Sequence, residues 1–382
     1  MDLLLASGKN QPQEQKTLQQ ALQVFDAFQV AELEDFLNCN LPLRSQPPLN
    51  RQTALIYPMA LRDRIEIILQ LPNQSHLQRY TIAVTEQDRE QTLTDLRRAL
   101  EQNYFSRQDL ELSQTVYNWL IKPTESLLKQ HQIQHLIFVL DSPFRRIPMA
   151  ALHNGEEYLI ESGYSVTLLP GLKLIESDLA PQTSLSALTF GLAQGRPPLP
   201  NVPQELENIE RLLKTEQYLD QSFSRETLTE QVLTSNSPIV HLATHGQFSS
   251  DPQETYLLAW DERISGNDLS DLLASRVTTS GLTPIELLVL SACQTAQGDP
   301  RAILGLAGIA VQSGARSTLS SLWAINDRST SLLMSAFYQE LTQNPSLPKA
   351  EALRRAQVKL LKAPGYQAPR FWGAYVLVGH SQ

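Results

Sequence analysis

The chain has 382 residues, of which 42% are hydrophobic and 19% charged, a composition typical of a folded protein with one large or two smaller domains. Its net charge is −9 and it has no dense cluster of lysine and arginine, which argues against nucleic-acid binding. No segment resembles a membrane span or a signal peptide, and the two cysteines, Cys39 and Cys293, lie in contexts that do not suggest a disulfide. We therefore expect a cytoplasmic protein with no membrane or nucleic-acid partner.

The first 50 residues predict a helical leader and a linker. Apolar residues in the stretch 15–38 recur at helical spacing, and the stretch 40–52 is rich in Pro, Asn and Gln. The leader either docks on a regulatory protein partner or covers an edge of the sheet in the domain that follows.

Residues 51–134 predict a hairpin and two helices that lead into the core of the main domain, which we expect to span 51–382. The predicted strands and helices of this leading segment, in chain order, are 64–71, 79–85, 86–102 and 112–130.

From residue 135 to residue 382, buried strands alternate with helices. The predicted strands are 135–141, 188–193, 239–245, 285–292, 317–323 and 374–379. The predicted helices are 204–214, 225–233, 302–312, 328–341 and 349–362. This alternation predicts a doubly wound α/β fold with a mostly parallel sheet that has helices on both faces.

Two of these strands end in reactive side chains. The run "IVHLATHG" ends at His245 and Gly246, and the run "IELLVLSACQT" carries Cys293. Because reactive groups in parallel sheets gather at the carboxyl ends of strands, we expect both side chains at one sheet edge. An imidazole can take the proton of a thiol, and the N–H groups of Gly246 and Cys293 are natural donors to the oxyanion that forms when a thiolate attacks a carbonyl.

Each residue also has an ordinary structural explanation. A buried cysteine is commonly a small hydrophobic residue, and a histidine at a strand end is commonly a satisfied polar one, so spacing alone leaves both interpretations open. A metal site shared by His241 and His245 is disfavoured, since residues four apart on a strand are about 13 Å apart, too far to share a zinc ion. We expect no metal site, and we expect His241 to lie in the core or to contact the residues of the site without touching the substrate.

Several longer stretches resemble the CHAT family, the caspase-like domain often found after tetratricopeptide repeats in bacteria. They are "ALIYPMALRDRIEIILQL", "FVLDSPFRRIPMAALHNGEEYLIE", "HLATHGQF", "VLSACQTAQGD", "GLAGIAVQSGARSTLSSLWAINDRST" and "FWGAYVLVG", and the resemblance extends from about Thr53 to Gly379. The resemblance implies a caspase-like cysteine peptidase that uses no metal or organic cofactor. It assigns the general base to His245, the nucleophile to Cys293 and an oxyanion donor to Gly246.

The stretch "SACQT" is also similar to the caspase signature Q-A-C-x-G, which has a histidine about 50 residues upstream. Ser291 and Thr295 replace the Gln and the Gly of that signature. These differences leave the dyad intact but do not support a caspase-type preference for aspartate.

Three residues near other strand ends are candidates for the substrate pocket. Asp327 either selects a basic substrate side chain or caps the helix that follows it. Arg145 either binds an acidic substrate residue or pairs with Asp141, and Trp323 follows the same strand as Asp327. We expect a slight preference for a basic residue before the cleaved bond. The insertion 249–281 is expected to be a surface excursion with a strand pair and a short helix, or else a processing site.

The leading hypothesis is a regulated caspase-like cysteine endopeptidase that cleaves a protein or peptide substrate. One alternative is a scaffold that keeps the fold and binds a partner without cleaving it. Another is a cysteine amidase or acyl-transferase that uses the same dyad on a small amide.

Overall fold

The computed structural model describes residues 11–37, 41, 49–74, 76–171, 185–249, 254–291, 294–295, 308 and 314–381. The chain divides into two compact units, which comprise 1–100 with 105–177 and 101–104 with 178–382. Cys39, Cys293 and most of the helix predicted at 302–312 lie outside the described residues. The domain boundaries predicted at residues 50 and 134 stay predictions.

The first unit combines helices with a mixed sheet. Its helices are Gln11–Leu37 (α1), Glu86–Leu100 (α2), Arg107–Leu120 (α3) and Glu125–Gln130 (α4). Its strands are Thr53–Ala60 (β1), Arg64–Gln70 (β2), Gln78–Ala83 (β3), His135–Phe138 (β4) and Ser165–Leu168 (β5). They pair in the order β3-β2-β1-β4-β5, antiparallel from β3 to β1 and parallel from β1 to β5.

The predicted hairpin is present as β2 and β3, but the sequence pattern predicted neither β1 nor β5. Pro58 lies inside β1 and lacks the N–H group that a residue of a central strand normally donates. The sequence of residues 53–60 therefore does not indicate a strand. β1 nevertheless pairs with a neighbour on each side and connects the hairpin to the parallel strands.

Helix α1 buries its apolar face against this sheet. Leu18, Ala21 and Phe25, spaced three and four residues apart, pack with Leu55 and Tyr57 of β1. The described helix of the predicted leader therefore packs on the sheet of the first unit.

The second unit contains most of the predicted core. Its helices are Val202–Glu210 (α5), Arg225–Thr234 (α6), Gly266–Thr278 (α7), Asp327–Gln343 (α8) and Lys349–Leu361 (α9). Its strands are Ser186–Gly191 (β6), Lys214–Leu219 (β7), Ile239–Ala243 (β8), Gly246–Phe248 (β9), Tyr256–Leu258 (β10), Arg263–Ser265 (β11), Leu287–Leu290 (β12), Gln294–Thr295 (β13), Ser317–Ser321 (β14) and Tyr375–Gly379 (β15).

These strands form a main sheet and a small one. The main sheet has the order β15-β14-β12-β8-β6-β7, and only its β14-β15 pair is antiparallel among the described residues. The small sheet has the order β11-β10-β9-β13. The prediction of an α/β fold with a mostly parallel sheet and helices is confirmed. Within the described ranges, we find no helix that is both long and apolar enough to cross a membrane.

Two predicted helices are partly wrong. The helix expected over 112–130 is divided into α3, which ends at Leu120, and α4, which begins at Glu125. The helix expected over 204–214 ends at Glu210, and the chain enters strand β7 at Lys214. β7 lies at the end of the main sheet and half of its side chains are exposed, so it has no continuous apolar run to mark it as a strand. The helix of the 249–281 insertion, α7, also extends well beyond the short one expected.

Candidate active site

In the chain, His245 lies between β8 and β9, and Cys293 lies between β12 and β13. β8 and β12 pair in parallel, with Leu242 opposite Leu290. Past the ends of these two strands the chain continues into β9 and β13, which also pair in parallel. Cys293 itself lies outside the described residues.

The ring of His245 contacts the loop that joins β6 to α5, which we call the histidine loop (193–201). Nε2 of His245 lies 2.5 Å from the carbonyl oxygen of Pro197. Since a carbonyl oxygen only accepts hydrogen bonds, Nε2 carries the hydrogen, and the neutral ring has its lone pair on Nδ1. Nδ1 is therefore the nitrogen that can take a proton from a substrate or a thiol.

Gly195 lets the histidine loop approach the imidazole closely. A Cβ atom at this position would lie 3.1 Å from Cδ2 of His245 and 3.5 Å from Nε2. The shorter of these distances is tighter than an ordinary van der Waals contact, so a side chain here would press on the ring.

Two aspartates bind the ends of the histidine loop. Oδ1 of Asp220 accepts from the backbone N–H groups of Ala193 and Gln194, at 2.8 Å and 2.9 Å. Oδ2 of Asp327 accepts from the backbone N and from Nδ2 of Asn201, both at 2.7 Å. Both carboxylates thus help to fix the loop that contacts the histidine.

The prediction that Asp327 caps the following helix is wrong by one residue. The N-cap of α8 is Asn326, whose side chain accepts from the backbone N of Ser329 at 3.1 Å, and Asp327 is the first helical residue. Asn and Asp cap helices about equally well, so the sequence does not distinguish them. The pocket role of Asp327 stays a prediction.

Gly246 lies where a side chain would not fit. A Cβ atom here would overlap Cδ2 of Leu257 and would lie 3.1 Å from the carbonyl oxygen of Tyr256, both on the neighbouring strand β10. This packing is a structural reason for glycine, and the predicted role of its N–H group as an oxyanion donor stays a prediction.

Trp323 is buried in the second unit, with an exposed fraction of 3%, and its Nε1 donates to the carbonyl oxygen of Arg370 at 3.2 Å. An indole with its N–H group satisfied and its ring enclosed is an ordinary core residue. Its place in a substrate pocket stays a prediction.

Arg145 belongs to the first unit and is buried. Its guanidinium donates to Oε2 of Glu32 at 2.7 Å and to Oε1 of Gln29, which ties it to α1. The carboxylate of Asp141 accepts instead from two backbone N–H groups, and burial raises the pKa of Asp141 despite these bonds and the nearby charge of Arg145. These contacts support the structural interpretation, although the partner is Glu32. The substrate-binding role stays a prediction.

His241 lies in the core, as predicted, and it has partners that sequence reasoning missed. Its Nε2 lies 2.9 Å from Oε1 of Glu205, and its Nδ1 lies 3.0 Å from the hydroxyl of Tyr338. Burial, and then the charge of Glu205, raise the pKa of Tyr338 well above its ordinary value, so this phenol stays protonated. The signal in the sequence was Glu205 itself, an acidic residue at helical spacing with the apolar residues Val202, Leu206 and Ile209. Across the described residues, no group of three His, Cys, Asp or Glu side chains is arranged to bind a metal.

Comparisons with known proteins agree with this fold. Human tetratricopeptide repeat protein 28 is 22% identical over 322 residues, which cover 69% of this chain and 13% of that protein. Two structures of the Saccharomyces cerevisiae separase–securin complex match with TM-scores of 0.55 and 0.53 at 11% and 10% identity. Each match covers 94% of this chain and 31% of the other, so this chain spans less than a third of the length of these relatives.

The likeness to separase is one of fold, and the architecture described above is the caspase-like fold. The family model of the CHAT domain matches residues 110–380, which is well over half of the sequence. The chain therefore belongs to the CHAT-domain family.

Proposed function

We propose that this chain is a cysteine endopeptidase in which His245 and Cys293 form a catalytic dyad. The observation that carries the proposal is the register of β8 and β12. Leu242 and Leu290, which lie opposite each other, are 48 residues apart, and so are His245 and Cys293. Past the two residues the pairing resumes with Gln247 opposite Gln294, which are 47 residues apart. His245 and Cys293 thus stand in the sequence between two strand pairings whose offsets equal their own or differ from it by one residue, which supports a position at nearly the same level of the sheet edge.

In the proposed reaction, Nδ1 of His245 takes the proton of the Cys293 thiol, and the thiolate attacks the carbonyl carbon of a substrate peptide bond. The carbonyl group of Pro197 stabilises the imidazolium through the hydrogen on Nε2. The N–H groups of Gly246 and Cys293 bind the developing oxyanion, and one such donor commonly contributes about 3 kcal/mol.

The second half of the reaction returns both groups to their starting state. The tetrahedral intermediate breaks its C–N bond, and the leaving amine takes the proton from His245, which leaves a thioester on Cys293. A water molecule then gives a proton to His245 and attacks the thioester. The carboxylic acid product leaves, and the thiol regains its proton.

The substrate residue before the cleaved bond is proposed to be basic, with Asp327 as the selecting anion. The groups of Asn201 that bind this carboxylate are neutral, so its negative charge remains available to a substrate cation. Asp327 also binds the end of the loop that contacts His245, which supports a position near the reacting groups.

The experiment that tests the proposal compares new protein N-termini in a proteome treated with the wild-type chain or with Cys293→Ala. A peptidase produces new N-termini that require both Cys293 and His245, with an excess of basic residues immediately before them. A scaffold produces none, and an amidase acting on small molecules produces none while still consuming small amides. Cleavage that persists in Cys293→Ala would contradict the proposal.

The activity is also proposed to be regulated by a protein partner that contacts α1. The separase neighbour was solved in complex with securin, and α1 exposes Val24 and Phe28, four residues apart, to 45% and 56%. Phe28→Ser is expected to retain basal cleavage but to lose any activation or inhibition that a cell extract produces in the wild type. A variant that responds to the extract as the wild type does would contradict this surface.

A further inference from the structure

A buried carboxylate links the two strands that lead to the dyad. Glu205 of α5 has an exposed fraction of 0%, and its Oε1 accepts from Nε2 of His241 at 2.9 Å and from Oγ of Ser291. His241 lies on β8, four residues before His245. Ser291 follows β12, two residues before Cys293.

Two tyrosines contact the same two residues, His241 and Ser291. The hydroxyl of Tyr338 lies 3.0 Å from Nδ1 of His241. The hydroxyl of Tyr375 lies 3.0 Å from the carbonyl oxygen of Ser291 and 3.0 Å from Oγ1 of Thr330. A buried polar network of this kind has one preferred geometry, because each group that moves out of place loses a partner that water does not replace.

Stability alone does not explain the carboxylate. Oε2 of Glu205 is buried and has no hydrogen-bond partner among the described residues, and the next residue on the helix, Leu206, is fully buried. A buried acidic group with an unsatisfied oxygen destabilises a core relative to an apolar residue of similar size. Such unfavourable arrangements concentrate at functional sites.

We propose that Glu205 is a positioning residue for the dyad, an inference that rests on the proposed function. The pairing of β8 with β12 ends at Leu242 and Leu290. Oε1 of Glu205 binds His241, which lies within this pairing opposite Val289, and Ser291, the first residue past its end on the other segment. Glu205 thereby sets the distance between His245 and Cys293.

The test is the pH dependence of Cys293 alkylation by iodoacetamide, followed in the full chain by peptide-resolved mass spectrometry. Because a thiol beside a base ionises at lower pH, the wild type should react at pH 6.5 about 10- to 50-fold faster than His245→Ala. Glu205→Ala should react as slowly as His245→Ala. Glu205→Gln, which keeps an acceptor oxygen for both donors, should stay within about 3-fold of the wild type.

A second variant keeps the test informative if Glu205→Ala does not fold. Ser291→Ala removes only one of the two links and should slow alkylation at pH 6.5 at least about 3-fold, because the thiolate fraction falls. Ser270→Ala is the matched control, since Ser270 is a buried serine on α7 whose hydroxyl has no partner among the described residues. It should react at the wild-type rate.

The outcomes separate this inference from the proposal beneath it. If Cys293 of the wild type reacts no faster than Cys293 of His245→Ala, the dyad is contradicted, and so is the positioning role of Glu205. A clear effect of His245→Ala, together with wild-type rates in folded Glu205→Ala or in Ser291→Ala, overturns the positioning role alone.

Discussion

The carbonyl oxygen of Pro197 lies 2.5 Å from Nε2 of His245. This contact assigns the hydrogen of the neutral ring to Nε2 and leaves Nδ1 as the proton acceptor. A general base that is oriented by a third group is the usual arrangement around an activated nucleophile. The histidine loop is therefore part of the candidate site, and so are the side chains that fix it.

The first prediction concerns Asp220, which binds the start of the histidine loop. Asp220→Gly removes the acceptor of two backbone N–H groups, and glycine adopts the φ of 51° at this position without strain. As the Pro197 carbonyl loses its position, labelling of Cys293 by a peptidyl thiol probe should slow about 10-fold or more.

Asp220→Asn is the matched control, because Asn keeps an Oδ1 acceptor and tolerates a positive φ. It should label close to the wild-type rate. Equal labelling rates in the glycine and asparagine variants would show that these hydrogen bonds do not support His245.

The second prediction is that Gly195→Ala lowers reactivity without lowering stability. The added Cβ would lie 3.1 Å from Cδ2 of His245 and would displace either the ring or the loop. We expect probe labelling to slow about 10-fold. The melting temperature should stay the same or rise, since alanine reduces the conformational freedom of the unfolded chain. A variant that labels normally would indicate that the loop does not constrain the imidazole.

The third prediction separates the two interpretations of Arg145. Arg145→Leu leaves the carboxylate of Glu32 and the amide of Gln29 without their buried donor, so denaturant unfolding should show a loss of about 3 kcal/mol. The preference among probes with acidic or basic residues should not change. A changed preference with unaltered stability would instead support a substrate-binding arginine.

The fourth prediction is a pH effect at Glu66 of β2. Burial alone would raise the pKa of Glu66, but hydrogen bonds from Arg79, Arg64 and Thr81 lower it below its usual range. The native state therefore binds fewer protons at this site than the unfolded state. The stabilisation is present above the unfolded pKa of about 4.3 and is lost as pH falls through the native pKa.

Glu66→Gln should accordingly lower the free energy of unfolding at pH 7 by about 2 kcal/mol, and the difference from the wild type should shrink below about pH 4. Glu207→Gln, which changes a half-exposed ion pair, is the control and should have little effect. A difference for Glu66→Gln that does not change with pH would contradict the assigned charge of this carboxylate.

The sequence predicted the part of the fold that depends on long apolar runs. β8 and β12 are buried throughout, so their position, their parallel pairing and the reactive residues after them follow from the pattern. β7 and β1 were missed because packing and pairing with distant strands stabilise them where local preference does not. β7 lacks a continuous apolar run because half of its side chains are exposed, and β1 contains a proline, which argues against a strand.

The contacts of the site were harder to predict than its reactive residues. The group that orients His245 is the backbone carbonyl of Pro197, which every residue type possesses and which no motif marks. Glu205 reaches His241 and Ser291 only after helix α5 packs on the sheet, so its role depends on tertiary structure. Asp327 was noticed for its charge, but its partner Asn201 is far away in the sequence.

The central claim is that His245 activates Cys293, and labelling by a peptidyl acyloxymethyl ketone with arginine before the reactive group tests it most directly. We predict labelling at Cys293 and not at Cys39, slowed at least about 100-fold in His245→Ala at neutral pH, the contribution of a general base. Labelling of Cys293 at the same rate in His245→Ala and in the wild type would contradict the account.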